Sequence, residues 1–258
     1  MNRLVIPPRR RFLARAVAAA GTVFLAGCQK LSESDWFPKV LSAGEKLSAA
    51  AGTLIVPRKA MAQEFAEADL SPTFRSNGTS RPDNPAYEAL AANAFATYRL
   101  QVDGLVASPR NFSLAELRAL PSRTQITRHD CVEGWSAIGK WTGTKLGALL
   151  DVVQPKAEAR YVVFYCADPM EEDGTMPYYE SIDMEDALHP QTILAYELNG
   201  ETLPIKNGAP IRLRVERQLG YKHAKYVMRI ELVESFGHIA GGSGGYWEDQ
   251  GYQWYAGI

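Results

Sequence analysis

Between residues 98 and 235 apolar and polar residues alternate with a period of two in several short runs, the pattern of strands that bury one face. "YRLQVDGLV" (98–106), "RTQITRHDC" (123–131), "APIRLRVE" (209–216) and "YVMRIELVES" (226–235) all read this way. "RYVVFYCA" (160–167) is continuously apolar, β-branched and aromatic, which predicts a strand covered on both faces. In "TILAYELNGETLPI" (192–205) two strand patterns flank Asn199-Gly200, a dipeptide suited to a tight hairpin. Helical spacing occurs only in short pieces. Ser113 with Glu116 three residues later predicts a capping box opening "SLAELRAL"; "TKLGALLDVV" (144–153) spaces its apolar residues like a helix, and "MEDALHP" (184–190) stops at Pro190. Further short helical patterns fall at 39–50 and 60–68, whereas "SPTFRSNGTSRPDNP" (71–85) is dense in turn formers and reads as loop. Strands outnumber helices and no internal repeat is present, so the expected class is β-rich α+β.

Residues 1–27 change that picture by adding an address. They hold Arg3, Arg9, Arg10, Arg11 and Arg15, no acid, and an apolar run from Ala16 to Ala26 that is far shorter than the roughly 20 residues a bilayer requires. This is the pattern of a signal peptide. Within it "RRRFLAR" has the twin-arginine form that sends folded cargo across a membrane, and "LAGC" (25–28) resembles a lipobox whose Cys28 would become a lipidated N-terminus; plain cleavage at a small-residue site is the other reading. The expected organisation is a signal peptide over 1–27, a tether and N-terminal arm over 28–80, and one functional domain over 81–258. The leader carries five of the 28 basic residues and none of the 29 acids, so the mature chain is near −6 and unsuited to nucleic acid. The expected location is the periplasm, reached in the folded state, with a membrane contact only through Cys28.

The mature chain then has two cysteines besides Cys28, and they limit its chemistry. A c-type haem needs a Cys-x-x-Cys-His run and an iron–sulfur cluster generally needs four thiolates, so neither is expected here. His129, His189, His223 and His238 show no zinc-ligand spacing with the cysteines. Cys131 and Cys166 could pair in an oxidising compartment, although two cysteines make a weak disulfide scaffold in a chain this long. For Cys131, at the end of an alternating strand and followed by Val132, Glu133, Gly134 and Trp135, three roles stay open. It could be a buried core thiol, a nucleophile beside His129 or His223, or a single soft ligand to a transition metal whose other positions a cofactor fills. "NGAPIRLRVERQLGYKHAKY" gathers Asn207, Arg212, Arg214, Arg217, Gly220, Lys222 and Lys225, which read either as a solvated polar face or as a site for an anionic group.

"CVEGWS…WTG…LGALL", "YVVFYCADP", "DALHPQTILAYELNGETLPIKNGAPIRLRV" and "LGYKHAKYVMRIELVESF", in that order over about residues 84–236, resemble the molybdopterin-binding core of the sulfite oxidase superfamily, and most of all its protein-methionine-sulfoxide reductase branch. The resemblance implies a fold of mixed sheets and short helices, a molybdenum–molybdopterin cofactor, and Cys131 as the thiolate on molybdenum. It also places pterin contacts on Asn84, Tyr87 and Glu88 in "NPAYE", on Asn207 and Arg212, and on Gly220, Tyr221 and Lys222. Cys166 stands where the family has a threonine, and is either a pocket-lining residue or a core thiol.

The activity this implies is two-electron reduction of an S-oxide or similar oxidised group, free or protein-bound. A sulfite-type dehydrogenase is the alternative, but that branch surrounds its metal with arginines and none follows Cys131. A lipid-anchored binding protein that has lost its metal is the non-catalytic alternative, one that would not need Cys131. Electrons must come from a separate redox protein, a membrane b-type cytochrome or a soluble cytochrome c. The terminal segment "GHIAGGSGGYWEDQGYQWYAGI" (237–258) reads as a docked surface strip rather than part of a pocket rim.

Overall fold

The computed structural model describes residue 36 and residues 59–171 and 176–258; the leader, Cys28 and the helical pattern at 39–50 lie outside them. In chain order the described elements are α1 (Pro85–Ala92), β1 (Leu100–Gly104), β2 (Arg110–Phe112), α2 (Leu114–Ala119), β3 (Ser122–Cys131), β4 (Trp135–Lys145), α3 (Leu146–Val153), β5 (Tyr161–Pro169), β6 (Pro177–Asp183), α4 (Met184–Ala187), β7 (Ile193–Leu198), β8 (Glu201–Thr202), β9 (Arg212–Arg214), β10 (Val227–Val233) and α5 (Tyr246–Asp249). Two five-stranded sheets result. The first has the order β2-β1-β10-β5-β6; the second runs β3-β4-β7-β8, with β9 paired to β7. Among the described strands only β1 and β10 pair in parallel. This is the β-rich α+β class that the alternation predicts, with the mixed sheets and short helices that the resemblance implies.

Local chemistry explains the element ends. Ser113 and Glu116 form the predicted capping box: Ser113 Oγ accepts from the Glu116 backbone at 3.2 Å and Glu116 Oε2 accepts from the Ser113 backbone at 2.8 Å. Asn84 caps α1 in the same way, accepting from the backbones of Ala86 and Tyr87, with Pro85 at the first helical position. That helix is an addition to the pattern-based reading, as are β2, β4 and β6.

The first sheet and helices α2 and α3 enclose a dry core. Leu100, Val102, Leu117, Leu149, Leu150, Phe164, Ile230 and Leu232 are completely buried in it, each contributing roughly 1.5–3 kcal/mol relative to exposure. Residues 59–80 are part of the same compact unit rather than of a tether. Glu64 makes a β-bridge to Thr127 where a helix was expected over 60–68, and only Glu67–Asp69 form a short 3-10 turn there. Phe74 packs edge-on against Trp141 at 4.9 Å.

Candidate active site

Strands β3 and β4 form a hairpin with Cys131 and Trp135 as its last pair. Gly134, at φ +84, makes the turn that a side chain would strain, and its N–H donates to the Cys131 carbonyl at 3.0 Å. The hairpin therefore presents Cys131 at its tip, at the wall of a cleft of about 780 Å3 counted with its open mouth. Burial pushes the thiol pKa up, while a hydrogen bond from the Glu133 backbone opposes that shift. Cys131 and Cys166 are both free thiols.

Neither histidine near Cys131 makes a nucleophilic pair with it. Arginine can only donate, so the 2.9 Å contact between Arg214 Nη1 and His129 Nδ1 leaves the proton on Nε2. A ring arranged so cannot take a proton from a thiol through either nitrogen. His223 Nε2 lies 3.0 Å from the Gln218 carbonyl and must carry the proton, which leaves Nδ1 as a buried acceptor without a partner. Burial, then the Arg214 charge, holds both imidazoles well below their ordinary pKa. The close packing of this corner requires Gly220, since a Cβ there would meet His129 Nε2 at 2.6 Å.

Arg212 and Arg214 share a face of β9 as the alternation predicts, but that face is completely buried against Trp141, not solvated. Arg214 is neutralised by Glu216 through Nε at 2.9 Å and Nη2 at 2.5 Å. Arg212 is not. Its bonds go to the carbonyls of Asn207 at 3.0 Å and His223 at 3.4 Å, and its Nε has no partner. Nearby, Lys225 Nζ is bonded to the carbonyls of Asn77, Thr79 and Lys206, and burial, with Arg212 adding to it, lowers its pKa to about 7. Gly208 joins the two: a Cβ on it would lie 3.0 Å from Lys225 Cβ and 3.1 Å from Arg212 Cβ.

Two buried cations whose hydrogen bonds go only to carbonyls are costly unless an anion completes them. Around them sit further unpartnered polar atoms: Asn207 Nδ2, Asn77 Oδ1, Asp168 Oδ1 and His223 Nδ1. Burial raises the Asp168 carboxyl pKa to about 6. This set, donors and acceptors beside unmatched positive charge, fits a pterin carrying an anionic tail. Among the described residues no three His, Cys, Asp or Glu side chains converge as a metal site, so a metal at Cys131 would take its remaining ligands from the cofactor.

The cleft is lined by Cys131, Gly220 and Tyr221 of the expected contacts. Asn207 and Arg212 lie beside Lys225, one layer in. Other expected contacts are engaged elsewhere. Tyr87 donates its hydroxyl to the Ala209 carbonyl at 2.6 Å, Glu88 pairs with Arg81, and Asn84 Nδ2 donates to Ala167 at 3.1 Å, next to cleft-lining Asp168. The Lys222 ammonium is sequestered between Glu180 and Glu248, and this residue does not line the cleft. Cys166 lies in the dry core, paired in register with Val227, and does not line the cleft. Lining residues missing from the expected set include Asn77, Thr79, Val132, Glu133, Asp168, His223, Lys225, Trp247 and Tyr252. Of these, the Asn77-Gly78 turn and Lys225 beside "GYK" had a local signal.

Fold and cleft together are those of an oxidoreductase core with one free thiol on the wall of a cofactor-sized cleft. The chain belongs to the family described as the oxidoreductase molybdopterin binding domain, whose model matches residues 88–237. It is 39% identical to the "Putative protein-methionine-sulfoxide reductase subunit YedZ1" of Azospira oryzae, over 98% of this chain and 88% of that one. It is 32% identical to the protein-methionine-sulfoxide reductase catalytic subunit MsrP of Burkholderia mallei, over 90% of this chain and 71% of that one. Among solved structures the sulfane dehydrogenase SoxCD of Paracoccus pantotrophus is similar at 21% identity and a TM-score of 0.49, covering 70% of this chain and 46% of that one.

Proposed function

We propose that the protein is a periplasmic molybdenum enzyme that reduces methionine sulfoxide or a similar S-oxide with electrons from a separate redox protein. The observation that carries this is the charge of the cleft. Of the described residues lining it none is arginine, and its one cation, Lys225, is engaged with backbone carbonyls on the cofactor side, while Glu133 and Asp168 add acidity. A lining without arginine offers no bidentate hold for a sulfite-like dianion and accepts a neutral S-oxide. The names of the relatives point the same way.

The cofactor, when bound, supplies the two-electron couple; overall, the S-oxide takes two electrons and two protons and leaves as thioether and water. The residues of this chain do the rest. The Cys131 thiolate would hold the metal, and Arg212 and Lys225 would hold the anionic end of the pterin. Asp168, Asn207 and the bare Nδ1 of His223 would bind its polar edge. Tyr221, Trp247 and Tyr252 line the aromatic wall of the cleft.

Export by the twin-arginine route and a lipid at Cys28 belong to the same proposal, since a cofactor enzyme must fold before it crosses. A lipid anchor would confine the enzyme to the surface that carries a b-type cytochrome and raise their effective concentration. Protein exported with its own leader should contain molybdenum and pterin and reduce methionine sulfoxide with a reduced dye. Oxidation of sulfite with soluble cytochrome c, and indifference to S-oxides, would overturn the proposal. Arg9→Lys with Arg10→Lys should strand the precursor in the cytoplasm, and Cys28→Ala should release it from the membrane fraction.

A further inference from the structure

The terminal segment read from sequence as a surface strip forms one wall of the cleft. Trp247 and Tyr252 line the same cavity as Cys131, with ring centroids 5.3 Å apart, and Tyr252 stands edge-on to Tyr221 at 5.3 Å. Tyr252 remains 42% exposed, and Val132, which lines the same cavity, is 46% exposed. Apolar surface is thus left open along the wall of the cavity that holds Cys131.

The wall is built to hold its position. Lys222 Nζ binds Glu248 at 2.5 Å from below and also binds Glu180. Tyr221 donates its hydroxyl to the Gln253 carbonyl at 2.6 Å, and the Leu219 N–H donates to Ala256 at 2.9 Å. Asp249 accepts from the backbones of Gly241 and Ser243 at 2.9 Å each. Rings fixed in this way lose little entropy when something packs on them.

We propose that Trp247 and Tyr252, with Tyr221 and Val132 of the same cavity, form a recognition subsite for the apolar side chains that flank a peptide-borne S-oxide. The proposal rests on the S-oxide reading and deepens it. A small S-oxide reaches the thiolate without covering the rim. A peptide carrying leucine on either side of the oxidised residue also covers exposed rim, at about 25 cal/mol per Å2 of apolar area. Aromatic faces further suit a sulfur-bearing side chain passing between them. Occupancy by a peptide, and not by the redox partner, follows from continuity: the rim residues and Cys131 line one cavity.

The test uses holoenzyme and two labelled pentapeptides with a central methionine sulfone, which is not reduced, flanked by leucine or by glycine. Fluorescence anisotropy should show the leucine peptide binding about tenfold more tightly, with the gap reduced to about twofold in Trp247→Ala. Tyr252→Ala, at an exposed position that does not endanger folding, should reduce it by a lesser factor. With the corresponding sulfoxides, the ratio of kcat/KM for the leucine peptide to that for dimethyl sulfoxide should fall about tenfold in Trp247→Ala. Equal affinity for the two sulfone peptides would overturn the subsite. So would equal losses for peptide and dimethyl sulfoxide, or a slowed reduction by the redox partner with peptide binding intact. Flank-dependent binding without turnover of any S-oxide would support the subsite and sink the reductase reading.

Discussion

The core beneath the first sheet and the layer behind Cys131 are buried to the same degree by opposite means. The first is aliphatic: Leu100, Leu149, Leu150, Phe164 and Ile230 meet no polar side chain that needs a partner. The second buries Arg212, Arg214, Glu216, His129 and Gln125 around Trp141, and further along Lys222 lies between Glu180 and Glu248. A dry core tolerates a lost methyl group with a graded loss. A buried ionic layer responds all or none, because removing one partner leaves the other charged and unsolvated. The cleft is built on the second kind, which fixes Cys131, His129 and the cations in one arrangement and leaves Arg212 and Lys225 without carboxylate partners until a cofactor arrives.

The sharpest separation of the two regions should come from Cys131→Ser. It replaces the soft ligand with a hard one, so molybdenum content and turnover should fall by more than about a hundredfold, with the melting temperature little changed because the side chain sits at a hairpin tip. Metal analysis and a thermal melt check both halves. Unchanged turnover would end the thiolate assignment.

Arg214→Met should come next. It strands Glu216 and removes the donor to His129, at a cost of about 3–5 kcal/mol in urea unfolding. Arg214→Met combined with Glu216→Leu should recover much of that loss, since no unpaired charge then remains. A double variant as unstable as the single one would show that shape, not charge balance, governs this layer. In the dry core, Leu150→Ala should cost about 2–5 kcal/mol with no second-site rescue and no dependence on pH.

The ionic layer should also make stability depend on pH. Burial, despite Lys222, raises the Glu180 carboxyl pKa well above the carboxylate range. A carboxyl whose pKa is higher folded than unfolded stabilises the protein while it is protonated. That contribution is whole below its unfolded pKa of about 4.5 and is lost as pH rises through the folded value. Glu180→Gln should therefore flatten the decline in stability as pH rises above about 4.5, and an unchanged slope would assign the decline to other groups. Cys166→Ser should have the smallest effect, about 1 kcal/mol from a hydroxyl placed in the dry core, with turnover within about twofold of the parent.

Much of the fold was legible because its signals are local. Ser113 and Glu116 cap α2, Asn199-Gly200 turns β7 into β8, and the alternation in 123–131 and 226–235 becomes β3 and β10. Asn84 and Pro85 were equally plain signals for α1, though they fall at the end of a loop-like run. The cleft was less legible. Cys131, Gly220 and Tyr221 were found through motifs, whereas Lys222 and Cys166 sit in motifs but point elsewhere. The difference is direction, which a motif does not encode.

What the sequence determined by itself was period, turn and chemistry: short strands outnumbering helices, one cysteine at a strand end, and a run of arginines and lysines on a strand pattern. Only the tertiary structure decided which charges meet. Arg214 finds its acid two residues away, but Lys222 finds Glu180 and Glu248 at separations of 42 and 26 residues. Arg212 and Lys225 find none among the described residues. The same alternating pattern serves a solvated face or a buried ionic floor, because alternation specifies which side chains share a face and says nothing of what will cover it. That cover came from Trp141, from the loop at 77–79 and from the aromatic segment at 246–254, each remote in sequence and brought into place only by the packing of two sheets.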